Sequence, residues 1–348
     1  MIKRTVEQVV MYNAIRYQTL NRLVHDKYSN SKYNNCSEIN LFIDITKICN
    51  SLTKEIINFG YNEDPFSISA AILNLCAHYR SFFRRGLSVD TNIYLLYSDG
   101  SFPYNKSNYP QYSMGKYQCE NIVMENIDVL NIICPYIQNI QLIQTQHEIS
   151  IPINDILDFN GKRIPSILIT TDIVNWQIVN RSLFGYDVCV FNPKKYGGDD
   201  LSYIVDSDNL ISRYLQKRKV KRELNSFSFS SCLYTLLLAM SRVPERNMYG
   251  ILSIPEATKK IEFAISNNLI LNGFINISAL DYLDFGKNSF AISQRYKAIE
   301  LFSQYGFFRT NNIVGRYNGM INLLDPKGIQ EIDNKYYQNC KVDFPSLL

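Results

Sequence analysis

The stretch Ile167-Leu168-Ile169-Thr170-Thr171-Asp172-Ile173-Val174-Asn175-Trp176-Gln177 decides the fold. A short apolar run that ends abruptly in hydroxyl groups and an acid reads as a buried parallel strand over 166–169, with a carboxylate at its carboxyl end. The same grammar occurs upstream. Leu41-Phe42-Ile43 ends in Asp44, and the strand Ile93 to Tyr97 ends in Ser98-Asp99-Gly100. Strands are also expected over 140–144 and from Asp187 to Phe191. Between them lie helical patterns: 67–85, with Ile68, Ala71, Ile72, Leu75, Tyr79 and Phe82 at three- and four-residue spacing, and 116–134.

Strands separated by helices imply an α/β fold with a mostly parallel, doubly wound sheet, whose ligands bind outside the carboxyl ends of the strands. Asp44, Asp99 and Asp172 are expected to stand together there. Past position 207 the pattern turns helical over 207–224, 228–241, 255–268 and 293–304, and an amphipathic helix is expected over 3–28. The organisation read from this is a helical extension over 1–38, an α/β domain over 39–206, and a helical C-terminal region over 207–348.

Composition bounds the function. With 46% hydrophobic residues, 20% charged, 25 Tyr and 19 Phe among 348 residues, the chain has ample material for a core. Its net charge of +4 is too small to make nucleic acid an obligatory partner. The eight cysteines form no C-x-x-C pair, and only three histidines are present, so no zinc site is expected. The thiols read as reduced and mostly buried, in a cytoplasmic setting. The first residues lack a signal peptide's apolar run and no window suits a membrane span. Abundant Asn, Ile, Tyr and Lys fit an AT-rich coding genome.

Several segments in order carry a family resemblance. Tyr94 to Gly100, followed by Pro103, Lys106, Tyr109-Pro110 and Tyr112, resembles the strand, Asp-Gly, Pro and basic and Tyr positions leading to the helical arch of flap endonucleases and 5′ exonucleases. The stretch Ile167 to Gln177 looks like that family's Ser-x-Asp-x-Asp-x-x-Gln motif. Residues 237–257, through Arg246-Asn247-Met248-Tyr249-Gly250-Ile251, are similar to its DNA-gripping helix-three-turn-helix. The resemblance covers roughly residues 40 to 270 and implies a PIN-like 5′-nuclease fold.

What the resemblance implies for chemistry is contradicted at several positions. Such a nuclease holds its phosphodiester between two Mg²⁺ ions, which need a dense cluster of carboxylate oxygens. Asp44, Asp99 and Asp172 remain, and Glu148 is the one acid left in Gln146-His147-Glu148-Ile149-Ser150-Ile151-Pro152, where Pro152 argues against a long helix. Val174 replaces a motif acid, Arg246 stands where another is expected, and Pro255 removes a backbone amide from the phosphate-gripping turn. Asp44, Asp99, Glu148 and Asp172 are therefore residual catalytic or metal-ligand candidates, with helix capping as the plainer role for the three aspartates. Arg246 is read as either solvated or paired with Asp172 or Asp44 in place of a metal.

The run Arg213, Lys217, Arg218, Lys219, Lys221 and Arg222, with Lys106, supplies weak nucleic-acid-binding candidates against a default of a solvated helix face. The expectation is a catalytically inactive, degenerate nuclease-fold protein needing no cofactor and acting as a structural or binding component. Its N-terminal helix and its Tyr-, Phe- and Asn-rich tail resemble ring or connector proteins of the portal and tail assembly in crAss-like phage virions. That resemblance implies assembly in a host cytoplasm, other virion proteins as partners, a homo-oligomeric ring, possible DNA contact and no membrane. The alternative is an active 5′ nuclease on DNA or RNA, using Mg²⁺ on a reduced carboxylate cluster.

Overall fold

A computed structural model describes residues 36–49, 67–108, 112–114, 120–160, 164–193, 195–196, 199–200, 203–220, 233–234, 237–238, 241–247, 252–266, 270–271 and 274–275. The expected helices over 3–28 and 293–304, most of 228–241, and Lys221 and Arg222 lie outside the described residues. So do the Tyr109-Pro110 and Met248 to Ile251 parts of the motifs.

The chain runs β1 (Glu38–Asp44), α1 (Ser67–Leu87), β2 (Asp90–Ser98), α2 (Pro103–Asn108), α3 (Glu120–Ile133), β3 (Ile140–Thr145), α4 (Ser150–Asn160) and β4 (Ser166–Ile169). A succession of 3-10 turns over Ile173–Phe184 then leads to β5 (Val188–Asn192). A small hairpin of β6 (Lys195–Tyr196) and β7 (Asp199–Asp200) precedes β8 (Tyr203–Val205) and α5 (Leu210–Lys217). After a short 3-10 turn at Pro244–Arg246 come α6 (Ile254–Ser266) and a second hairpin, β9 (Ile270–Leu271) with β10 (Phe274–Ile275).

Six strands form one sheet in the order β3-β2-β1-β4-β5-β8. The first five run parallel and β8 returns antiparallel along β5, Val190 opposite Val205. This is the mostly parallel, doubly wound α/β sheet expected. Strand order reverses between β1 and β4, and at such a switch point the loops leaving adjacent strands diverge and open a crevice.

Side-chain alternation builds a core on each face. Leu41, Ile43, Ile93, Leu95, Ile167, Ile169, Cys189 and Phe191 point one way, onto Ile68, Ile72, Leu75, Tyr79 and Phe83 of α1 and Val123, Ile127 and Leu130 of α3. Phe42, Leu96, Leu168, Val188 and Val190 point the other way, into a cluster with Trp176, Tyr214, Tyr234, Leu237, Ala257 and Ile261. The second cluster draws on residues from both sides of position 206, so described residues after α5, among them Tyr234, Leu237 and Ile261, pack into the same core as the sheet.

Two local expectations are corrected. Pro152 does not prevent a helix: α4 runs for 11 residues from Ser150 with Pro152 in its first turn, where the missing N–H has no intrahelical partner to lose. The helix expected over 207–224 ends at Lys217, because Lys219 takes a left-handed φ of 54°. The basic run is thus not one helix face. The segment after Asp172 is twelve residues of 3-10 turns closed by Gly185 at φ 82°. Cys49, Cys76, Cys134 and Cys189 are buried thiols outside any disulfide, and no described helix is long and apolar enough to cross a membrane.

Candidate functional site: a carboxylate pocket filled by arginine

The carboxyl ends of β1 and β4 bring Asp44 and Asp172 to the switch point, both buried. Asp172 caps the 3-10 segment, its Oδ1 accepting from the Val174 amide at 3.1 Å. The amide of Asp172 in turn donates to the Thr170 hydroxyl oxygen at 3.0 Å, and that hydroxyl donates to Asp44 Oδ2 at 2.7 Å. Asp44 also accepts from the Lys47 amide at 3.3 Å, at the start of the helical turn after β1. The capping expected of these two aspartates is what the backbone shows.

Into this corner comes Arg246, wholly buried. Its guanidinium forks onto Glu148, Nε donating to Oε1 and Nη2 to Oε2, the latter at 2.6 Å. Nη2 also donates to Asp172 Oδ2 at 2.9 Å. A planar fork facing a carboxylate is the strongest form of side-chain ion pair, and burial strengthens it by excluding water. Backbone contacts fix the arginine's approach: its amide donates to the Val243 carbonyl at 3.1 Å, and its own carbonyl accepts from the Ser113 amide at 3.2 Å. Asn247 leaves in the left-handed region at φ 53°, which Asn tolerates better than most residues.

Two further side chains, neither expected from sequence as part of the pocket's charge balance, complete it. Lys47 places its ammonium 3.2 Å from Asp172 Oδ2. Tyr112, buried, donates its hydroxyl to Glu148 Oε1 at 2.6 Å. The signal for Lys47 was its place three residues after a strand-end acid, where the first helical turn brings a side chain back over the strand end. For Tyr112 the signal was its motif position alone.

The electrostatics follow from this packing. Burial by itself raises a carboxyl's pKa, but the Arg246 and Lys47 charges and the Val174 amide outweigh it and hold Asp172 far below the usual carboxylate range. Burial likewise opposes the charge on Arg246, and Asp172 and Glu148 more than restore it. Asp44 gets less help. Burial pushes its carboxyl up to about 6, against the lowering effects of Lys47 and the Thr170 hydroxyl, and nearby Asp172 pushes the same way as burial.

A pair of divalent cations does not fit this donor set. Glu148 and Asp172 already bond a guanidinium, and Asp99 is exposed and caps its own turn, accepting from the Ser101 amide at 2.8 Å. Val174, at the position of the missing acid, is buried in the core. Among the described residues no three His, Cys, Asp or Glu side chains converge as a metal site.

The basic candidates make contacts within the fold. Lys217 donates to the Thr171 carbonyl at 2.6 Å and lies 4.8 Å from the Trp176 ring centroid. Arg218 pairs with Glu245 at 2.7 Å, and Arg213 lies over Tyr203 at 4.6 Å. Lys106 and Lys219 are exposed. At the start of α6, Glu256 folds back over the helix N-terminus, accepting from the Ser253 amide at 2.9 Å and hydroxyl at 2.6 Å. This capping box sets the chain's own carboxylate where the resemblance expects a DNA phosphate.

No protein-family model matches the chain, and no curated protein matches it. Among solved structures it is similar to the phage T5 5′-exonuclease with bound zinc: 11% identity, TM-score 0.48, over 85% of this chain and 98% of that one. It is also similar to a T5 flap endonuclease in complex with DNA and metal ions, at 13% identity and TM-score 0.46, over 86% of this chain and 97% of that one. Human GEN1 bound to Holliday junction DNA gives 12% identity and TM-score 0.41, over 85% of this chain and 68% of that one. These are likenesses of backbone trace, and the functional reading stands on this chain's own side chains.

Proposed function

We propose that this chain is a catalytically inactive protein on a nuclease-like α/β scaffold, serving as a structural or binding component. The carrying observation is Arg246, fully buried and bonded to both Glu148 and Asp172. A fixed cation between the two carboxylates repels a divalent ion and occupies the oxygens that ion would need. Metal-assisted phosphodiester cleavage asks for two such ions about 4 Å apart, whereas the oxygens of Glu148 and Asp172 here already accept from a guanidinium. Glu256 over the α6 N-terminus adds a second obstacle, since a carboxylate there competes with any phosphate.

The setting proposed for this component is the ring or connector of a phage portal and tail assembly, with other virion proteins and further copies of itself as partners. Support for that setting is the sequence resemblance stated above. DNA contact, if made, uses exposed cations such as Lys106 and Lys219 without strand cleavage.

Incubation of the pure protein with flap DNA and single-stranded RNA in Mg²⁺ or Mn²⁺ tests the reading. No cleavage is expected. Cleavage abolished by Asp172→Asn overturns it, and establishes an active nuclease with a reduced cluster instead.

A further inference from the structure

We infer that Arg246 and Lys47 together are a built-in cation, and that the block on divalent-metal binding lies in these two side chains rather than in the carboxylates around them. The inference deepens the inactive-scaffold reading and rests on it. Glu148 and Asp172 are already aimed at one common positive centre: three of their oxygens accept from a single guanidinium. Lys47 touches the same Asp172 oxygen from the partly exposed side. Two positive charges thus face two carboxylates directly, with Asp44 held alongside by the Thr170 hydroxyl.

The carboxylates owe their aim to other parts of the fold. The Val174 amide and the Asp172 N-cap geometry fix one, and the Tyr112 hydroxyl fixes the other. Removing the arginine therefore leaves two oriented acids around a space the size of the missing side chain. Magnesium and manganese ions bind through one or two carboxylates with waters completing an octahedron, so a pair suffices for one ion. It does not suffice for the two ions of phosphodiester cleavage. The inferred consequence is separable binding and catalysis: one divalent ion without nuclease activity.

The test is Mn²⁺ titration of the full chain, by calorimetry and by the electron paramagnetic resonance signal of free Mn²⁺. It compares wild type, Arg246→Ala/Lys47→Ala, and the same double variant carrying Asp172→Asn. The double variant is expected to bind one Mn²⁺ at least about tenfold more tightly than wild type, and the added Asp172→Asn to abolish the gain. Equal, weak binding by wild type and double variant overturns the inference while leaving the inactive-scaffold reading intact. Tight binding of two ions by wild type overturns that reading as well. If the double variant folds only when Mn²⁺ is present, circular dichroism with and without the ion reports the same gain. If it folds in neither condition, the pocket requires the guanidinium itself and the inference falls.

Discussion

Arg246 Nη2 and Asp172 Oδ2 meet at 2.9 Å across 74 positions of sequence, and the same guanidinium reaches Glu148 across 98. One side chain thus ties the segment before α6 to the ends of β3 and β4. Its two partners are themselves buried, so none of these charges has water to fall back on.

Removing this arginine alone leaves buried carboxylates uncompensated. Arg246→Met is expected to destabilise the chain by about 3–5 kcal/mol, and Arg246→Lys by less, since an ammonium keeps the charge but loses the fork. Urea unfolding followed by circular dichroism measures both. Equal stability of Arg246→Met and wild type at neutral pH contradicts the pairing.

Asp44 and Asp172 make opposite contributions to pH dependence. Burial raises Asp44 to about 6, so between about pH 4 and that value the folded chain holds a proton the unfolded chain has released. Stability from this group therefore falls as pH rises through the window, by on the order of 2–3 kcal/mol. Asp44→Asn is expected to flatten that fall. Asp172 is held low by Arg246 and Lys47, despite its burial, so its contribution is present above about pH 4 and is lost as pH falls further. Denaturation midpoints from pH 3 to 8 for wild type and Asp44→Asn give the comparison.

Tyr112→Phe deletes one hydroxyl and nothing else from the pocket. The lost donor to Glu148 is expected to cost about 1.5–3 kcal/mol, as for a hydrogen bond to a charged group. The T-shaped packing of ring 112 on Phe102 is kept. In a double-mutant cycle with Arg246→Met the two losses should be non-additive, because both residues act on one carboxylate.

Ser253→Ala removes the capping side chain of α6. A loss of about 1 kcal/mol is expected. Thermal unfolding reads it, and faster amide exchange in the first turn of α6 localises it.

Much of the fold was legible because its signals are local. The strand over 166–169 was readable to the residue from its apolar run, and the 67–85 helix to within two residues of its end from hydrophobic period. The strand beginning near Ile93 proved longer, starting at Asp90, since polar residues at a strand's entry carry no periodic signal. Strand β8 is three residues whose identity depends on pairing with β5, which no window along the chain contains.

The sequence by itself determined the parallel sheet, the acids at its strand ends and the presence of Arg246 where an acid was expected. Only the tertiary structure decided which of the possible partners that arginine takes, that Glu148 accepts its fork, and that Lys47 and Tyr112 belong to the same pocket. The physical reason is range: hydrophobic periodicity acts over a few residues, whereas an ion pair between distant segments is settled by where strand order reverses and how deeply the charges are buried.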